Sequence, residues 1–223
     1  MKRRAFGIWV AGTALLAALG MPAIALAADE APDALIKRIS DETLADIKAD
    51  KAIQAGDTGR IVNFVDRKIM PVVDFRRMTA AAVGPAWRQA TPEQQKRLQD
   101  EFKLLLVRTY SGALAQVNDQ VISVKPMRGA PTDDDVVVRT EIRGRGDPIQ
   151  LDYRLEKTPG EGPGWKIYNL NVLGVWLVET YRSQFAQEIN SKGIDGLITA
   201  LAERNKANAT PTPPAGMPTG KKG

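Results

Sequence analysis

The hydrophobic pattern of this chain changes period near Gln120, and this change constrains the fold more than any other feature. Before that point, apolar residues recur at steps of three and four, as they do on the buried face of a helix. After it, apolar and polar residues alternate, as they do in a strand with one buried face. Helical spacing returns after Gly174. The order of helices, strands and helices predicts a single α+β domain.

The N-terminal half carries separate helical segments with recognisable starts. Residues 35–47 place their apolar side chains on one stripe, and residues 58–70 do the same before a proline. Asp74 is a plausible N-cap for a short third helix. Thr91 and Gln94 flank a proline and form a capping-box arrangement, which predicts the start of a long amphipathic helix.

Four strands are predicted between the two helical regions, at residues 121–125, 136–143, 149–156 and 165–172. Short runs rich in Gly, Pro and Asp separate them, and short turns between successive strands are typical of an antiparallel meander. Two helical stripes follow, one after Gly174 and one after Gly193. The predicted fold is therefore α+β, with N-terminal helices and two C-terminal helices packed on one face of a four-stranded antiparallel meander sheet.

Both ends of the chain differ from this domain. The first residues are basic, an apolar run follows, and Ala25-Leu26-Ala27 has the small-x-small pattern of a signal-peptidase site. We therefore expect a signal peptide at residues 1–27 and an exported domain at residues 28–205. Residues 206–223 are rich in Lys, Asn, Thr, Pro and Gly, a composition that predicts a disordered tail.

Composition excludes several functional classes. The chain has no histidine and no cysteine, so it can form neither a Ser-His-Asp triad nor a cysteine nucleophile, nor the usual zinc site. It also lacks the Gly-x-Ser-x-Gly elbow of a lipid hydrolase. Without the three basic residues near the N-terminus, 28 basic side chains face 26 acidic ones. That balance argues against a nucleic-acid-binding surface.

The apolar face of the predicted sheet has two interpretations. Such a face usually belongs to a fully packed core, because protein interiors fill to nearly crystalline density. A ligand cavity between sheet and helices is the less common outcome. Periodicity cannot separate the two, since the same apolar residues serve both.

Several segments together resemble one known family. The clearest is Gly-Trp-Lys-Ile-Tyr-Asn-Leu, followed by Gly-Val at the start of the last helical region. In this order and spacing the chain resembles MlaC, the periplasmic phospholipid-binding or toluene-tolerance family of the outer-membrane lipid asymmetry pathway. The resemblance runs from about residue 33 to residue 205, through residues 83–95, 105–110, 149–155, 164–170, 174–175, 181–185 and 193–197.

This resemblance implies a periplasmic carrier without catalytic activity and without a cofactor. Its cargo would be a phospholipid, with the acyl tails between sheet and helices and the headgroup toward solvent. The carrier would exchange lipid between an outer-membrane lipoprotein–porin complex and an inner-membrane ABC transporter with a substrate-binding ring. The resemblance, taken with the apolar faces, gives the expected lipid-binding residues Met78, Leu105, Leu106, Tyr110, Leu114, Leu151, Tyr153, Leu155, Val172, Val175, Leu177 and Tyr181.

Three residues depart from the family pattern and leave alternatives open. Trp176 replaces a small residue, and its ring could either narrow the mouth of a pocket or lie outside it. Asn169 and Thr180 replace a frequent Asp and a frequent Asn. One alternative is a related carrier of a hopanoid or another sterol-like lipid, whose rigid ring system would pack against the ring of Trp176. Another is an envelope assembly protein that binds no ligand.

Overall fold

The structure, a computed structural model, describes residues 30–127 and 133–208. The predicted signal peptide and nearly all of the predicted tail lie outside these residues. No helix in the described ranges combines the length and the apolar character that a membrane crossing requires.

The described residues form six α-helices and a five-stranded sheet, which confirms the predicted α+β class. The helices are α1 (Pro32–Ala49), α2 (Lys51–Gln54), α3 (Thr58–Phe64), α4 (Phe75–Val83), α5 (Pro92–Ala115) and α6 (Leu177–Ala207). Three short turns of other helical types lie between these helices. A π-helical turn at Val65–Ile69 and a 3₁₀ turn at Met70–Val72 lie between α3 and α4, and a 3₁₀ turn at Gly84–Arg88 lies between α4 and α5.

Two predicted helix starts are present with their hydrogen bonds. Oδ1 of Asp74 accepts a hydrogen bond of 2.8 Å from the backbone N–H of Arg77. The Thr91 hydroxyl accepts from the backbone N–H of Gln94, and the Gln94 side chain accepts from the backbone N–H of Thr91. These contacts fix where α4 and α5 begin, because each satisfies a backbone donor that has no partner within the helix.

The helix predicted at residues 58–70 does not continue to its proline as a single α-helix. Regular α3 ends at Phe64, and the π-helical turn Val65–Ile69 follows. The apolar spacing on which the prediction rested is shared by both kinds of helix over one turn, so the change is not visible in the pattern.

The strands are β1 (Val121–Val124), β2 (Asp135–Arg143), β3 (Ile149–Lys157), β4 (Trp165–Val172) and β5 (Val175–Trp176). They lie in sequence order and pair antiparallel, so the predicted meander is confirmed with one strand more than expected. The fifth strand has two residues. A strand of that length has no measurable alternation, which is why the sequence did not reveal it.

The two predicted C-terminal helices are the two arms of α6. Gly193 interrupts the helix with φ of 72° and ψ of −172°, a conformation open essentially to glycine alone. The second arm continues to Ala207, beyond the expected domain end at residue 205. Asn205 is buried there and donates a hydrogen bond of 2.9 Å to the backbone carbonyl of Glu101. Lys206 and Ala207 continue the same helix.

The helices pack on the apolar face of the sheet through distinct clusters. One cluster joins α4, α5 and α6, and its centre is formed by the rings of Phe75, Phe102, Tyr181 and Phe185. A second packs the start of α1 against β2, β3 and β4. A third joins α1, α2, α3 and α5. The space where these clusters meet contains the candidate site.

Candidate functional site

A cavity of about 210 Å³ lies between the helices and the apolar face of the sheet. Residues from α3, the turns after it, α4, α5, β3, β4 and the start of α6 contribute to its wall. The lining consists of Ile61, Val65, Ile69, Met70, Val73, Phe75, Met78, Lys103, Leu106, Val107, Tyr110, Leu114, Tyr153, Ile167, Leu170 and Leu177. Fifteen of these sixteen side chains carry no charge. The wall offers dispersion contacts and very few polar partners.

Helix α5 supplies the longest side of the cavity. Lys103, Leu106, Tyr110 and Leu114 recur at steps of three and four, so they share one face of the helix. That face borders the cavity, and Leu106 and Tyr110 on it also pack against the aromatic cluster. Leu105 lies on a neighbouring face and is fully buried in that cluster.

The segment from α3 through the π-helical turn forms another part of the wall. Ile61, Val65 and Ile69 are spaced by four and line the cavity along this short segment. Its backbone departs from α-helix at the position where Val65 reaches the cavity. Such single π-helical turns are frequently found at functional sites.

The sheet forms the floor through β3 and β4. Tyr153 is paired with Leu170 in the register, so both side chains project to the same face. Burial raises the pKa of Tyr153 to about 12, because the ring lies in surroundings that cannot solvate a phenolate. Ser40 and Thr140 act on the Tyr153 hydroxyl and lower its pKa, but the effect of burial is larger. Tyr153 therefore lines the cavity as an uncharged side chain.

The charged residue in the wall is Lys103. Its Nζ lies 2.7 Å from Oδ1 of Asp66, which belongs to the π-helical turn. The side chain of Lys103 is 24% exposed and that of Asp66 is 42% exposed. The apolar stem of the lysine therefore lines the cavity while its ammonium group reaches the protein surface.

Six of the twelve expected lipid-binding residues line this cavity, namely Met78, Leu106, Tyr110, Leu114, Tyr153 and Leu177. Leu105, Leu155 and Tyr181 are instead buried in the packed clusters, where other side chains occupy the space around them. Leu151 and Val172 are paired on the sheet without reaching the cavity wall. Val175 is 50% exposed on the edge strand β5, which the helices do not cover at that point.

The cavity includes residues that were not expected from the sequence. Ten lining residues fall in this group, and most belong to α3, to the turns after it, and to the last long strand. Their apolar spacing was visible in the sequence. Whether an apolar residue borders empty space or another side chain depends on how distant elements pack, and spacing carries no information on that.

The three departures from the family pattern lie away from the cavity. Trp176 pairs with Asn171, whose side chain projects to the opposite face of the sheet, so the indole ring lies outside. The guanidinium group of Arg154 stacks over this ring at 4.2 Å. Asn169 and Thr180 make hydrogen bonds at the junction of β4 and α6.

This arrangement is suited to holding hydrocarbon. Within the described ranges, no group of three or more acidic side chains is placed to hold a metal ion. A volume of 210 Å³ is below the 300–1,000 Å³ that is typical of small-molecule pockets. A two-tailed ligand would therefore require the walls to separate.

Comparison with known proteins is consistent with this geometry. The family model described as "MlaC protein" matches residues 37–203. Toluene tolerance protein ttg2D of Pseudomonas putida is 32% identical over 203 residues, which cover 86% of this chain and 90% of that protein. The intermembrane phospholipid transport system binding protein MlaC of Haemophilus influenzae is 24% identical over 178 residues, which cover 79% and 83%.

A solved structure also matches the fold. It is the phospholipid-binding protein from Ralstonia solanacearum, determined in complex with a phospholipid at 1.53 Å resolution. The two chains are 47% identical and superpose with a TM-score of 0.76, over 80% of this chain and 98% of the other.

Proposed function

Because this chain belongs to the MlaC family, we propose that it is a carrier that binds a phospholipid in the cavity between its helices and its sheet. The observation that carries the proposal is the composition of the cavity wall, in which one charged residue stands at the surface and the remainder is uncharged. The complex of the Ralstonia protein with a phospholipid supports the same cargo.

The energetics of the cargo require such a wall. Each buried methylene of an acyl chain is stabilised by about 0.8 kcal/mol, so two long chains amount to more than about 20 kcal/mol against water. A lipid therefore leaves a bilayer for an aqueous space only if its tails stay covered. A cavity lined with Leu, Ile, Val, Met and Tyr covers them without demanding a particular tail.

Loading must enlarge the cavity. The least anchored part of the wall is the pair of turns after α3, Val65–Ile69 and Met70–Val72, which contain no buried residue. Short elements with few buried contacts open at low free-energy cost. We propose that this segment moves away from α5 when acyl chains enter.

The route of the lipid belongs to the proposal as well. The carrier would be periplasmic after removal of residues 1–27, with residues 28–205 as its lipid-binding domain. It would exchange phospholipid between an outer-membrane lipoprotein–porin complex and an inner-membrane ABC transporter, and so maintain lipid asymmetry. The name of the Haemophilus relative, which specifies an intermembrane phospholipid transport system, supports this role.

The proposed carrier performs no covalent chemistry and needs no cofactor, since phospholipid is cargo. This fits a chain without histidine and cysteine. The twelve residues expected from the sequence stay proposals as lipid contacts, with the six in the cavity wall as the primary set. The position of Trp176 on the outer face removes the reason for favouring a sterol-like cargo.

The experiment is lipid analysis of the purified protein to which no lipid has been added. Chloroform–methanol extracts of a folded, monodisperse sample are analysed by mass spectrometry. We expect phospholipid at close to one molecule per protein. A sterol-like lipid would replace the cargo assignment, and a sample free of lipid would contradict the carrier function.

A further inference from the structure

We infer that Lys103 binds the phosphate group of the lipid, and that Asp66 takes the place of that phosphate when no lipid is bound. This inference deepens the proposed function and rests on it. It starts from the position of the one charged side chain in the wall of the cavity.

A diacyl phospholipid has its charge at a fixed place, next to the tails. When the tails fill an apolar cavity, the phosphate must lie where the lining meets water. Lys103 has this position, because its stem lines the cavity and its ammonium group is partly exposed. An ammonium group makes charge-assisted hydrogen bonds to phosphate oxygens as it does to carboxylate oxygens.

In the structure Asp66 is paired with this ammonium group, with 2.7 Å between Nζ of Lys103 and Oδ1 of Asp66. Ion pairs at this degree of exposure contribute little to stability, because water competes for both partners. A phosphate can therefore replace the carboxylate at small cost. The exchange leaves Lys103 with one anionic partner in each state.

The exchange also acts on the wall of the cavity. Asp66 is adjacent to Val65 and lies in the same π-helical turn as Ile69, and both apolar side chains line the cavity. The ion pair thus connects α5 to this turn, which forms part of the cavity wall. Release of Asp66 by the phosphate frees the turn to move outward, so that headgroup binding and enlargement of the cavity are coupled.

The test measures the preference for a phosphate between two lipids with identical tails. The purified full-length mature protein is incubated with vesicles that contain isotope-labelled phosphatidylglycerol and diacylglycerol in equal amounts. Native mass spectrometry then counts the labelled lipid on the protein. We expect the wild type to take up phosphatidylglycerol about tenfold over diacylglycerol, as a charge-assisted contact allows.

Variants assign that preference to one side chain. Lys103→Met keeps the apolar stem and should reduce the preference to less than about twofold. Lys103→Arg should retain it. Asp66→Asn leaves the ammonium group unoccupied and should take up phosphatidylglycerol at least as fast as the wild type. The control is Lys96→Met, which removes another ion-paired lysine on α5, at 76% exposure and outside the cavity wall.

The outcomes separate the inference from the proposed function. If Lys103→Met is folded and keeps the wild-type preference, Lys103 does not bind the phosphate and the inference is wrong. The same holds if the wild type takes up both labelled lipids equally. If the wild type neither contains lipid when purified nor takes up either labelled lipid, the carrier function itself fails. A circular dichroism melt of each variant establishes that it is folded, and Lys103→Gln replaces Lys103→Met if the latter is not.

Discussion

The side-chain amide of Asn169 donates a hydrogen bond of 2.8 Å to Oε2 of Glu179, and its carbonyl oxygen accepts one of 3.2 Å from the backbone N–H of Val178. Trp176, the residue at the N-cap of α6, provides no capping hydrogen bond of its own. The last long strand therefore caps the first turn of α6 from outside the helix. This fixes the corner where Leu177 enters the cavity wall.

Asn169→Asp should weaken this corner. A carboxylate can still accept from Val178, but it cannot donate to Glu179, and the two negative charges then face each other. We expect a loss of about 1 kcal/mol and a decrease of about 3 °C in the melting temperature. Adding Glu179→Gln supplies an amide donor to the new carboxylate and should recover most of the loss. A stability unaffected by the single change would contradict the assigned donor role.

The contacts of Glu179 at this corner predict that the stability of the protein depends on pH. Burial raises the pKa of Glu179, but hydrogen bonds from Asn169, Arg154 and its own backbone outweigh it, so the pKa lies below its ordinary value. A carboxyl with a lowered pKa in the folded state stabilises the protein above its unfolded pKa, near 4.5, and loses this contribution as the pH falls through the folded pKa. Glu179→Gln should therefore weaken the pH dependence of the free energy of unfolding, measured with urea, between about pH 5 and pH 3. An unchanged profile would exclude this residue as a source of acid sensitivity.

Leu106→Trp tests the cavity as the cargo site. The indole ring that replaces the Leu106 side chain extends into the cavity. We therefore expect an unchanged or slightly higher melting temperature, together with at least a fivefold loss of bound phospholipid. Leu104→Trp is the matched control, since Leu104 lies on the same helix without lining the cavity. Lipid retained at the wild-type level by Leu106→Trp would place the tails elsewhere.

Val175→Glu tests whether the edge strand β5 takes part in lipid binding. Val175 is 50% exposed, so a carboxylate stays hydrated and the melting temperature should change by less than about 2 °C. We expect bound lipid to decrease, because Val175 pairs with Val172 and lies two residues before Leu177, which lines the cavity. Val121→Glu provides the same change at the other edge of the sheet, at 64% exposure, and should leave the lipid content unchanged. Equal lipid in both variants would remove Val175 from the site.

Alkaline titration should report the burial of the tyrosines. The chain has four, and burial raises the pKa of Tyr110, Tyr153 and Tyr168 to about 12, with an upward shift for Tyr181 as well. Since the unfolded pKa is near 10, the folded protein binds more protons between pH 10 and 12, and its stability decreases as the pH rises through that range. Absorbance at the tyrosinate band and far-UV circular dichroism should therefore change together. Ionisation of several tyrosines near pH 10 in a protein that stays folded would contradict the assignment.

How far the sequence predicts this structure depends on the range of the interactions. The N-caps at Asp74 and Thr91 were predictable because the cap and its partner lie three residues apart. The antiparallel order of the long strands was predictable from alternation and short turns. The π-helical turn after Phe64 was missed, since it preserves the local apolar spacing.

The site was predictable only in part, for a related reason. Tyr110 and Tyr181 are both apolar-face tyrosines near the junction of sheet and helices, and the sequence treats them alike. In the folded protein Tyr110 lines the cavity, while the ring of Tyr181 packs edge-on against Phe102 with the centroids 4.9 Å apart. The difference arises from packing between elements about 70 residues apart along the chain, and no local pattern encodes it.

The largely uncharged lining of the cavity has a kinetic consequence. An acyl chain that escapes into water exchanges its contacts with this wall for hydration, at a cost of about 0.8 kcal/mol for each methylene exposed. Cargo should therefore leave only during contact with an acceptor that covers the tails. Delivery would then be second order, with a rate that increases in proportion to acceptor concentration and that stays finite even for lipids with negligible monomer solubility.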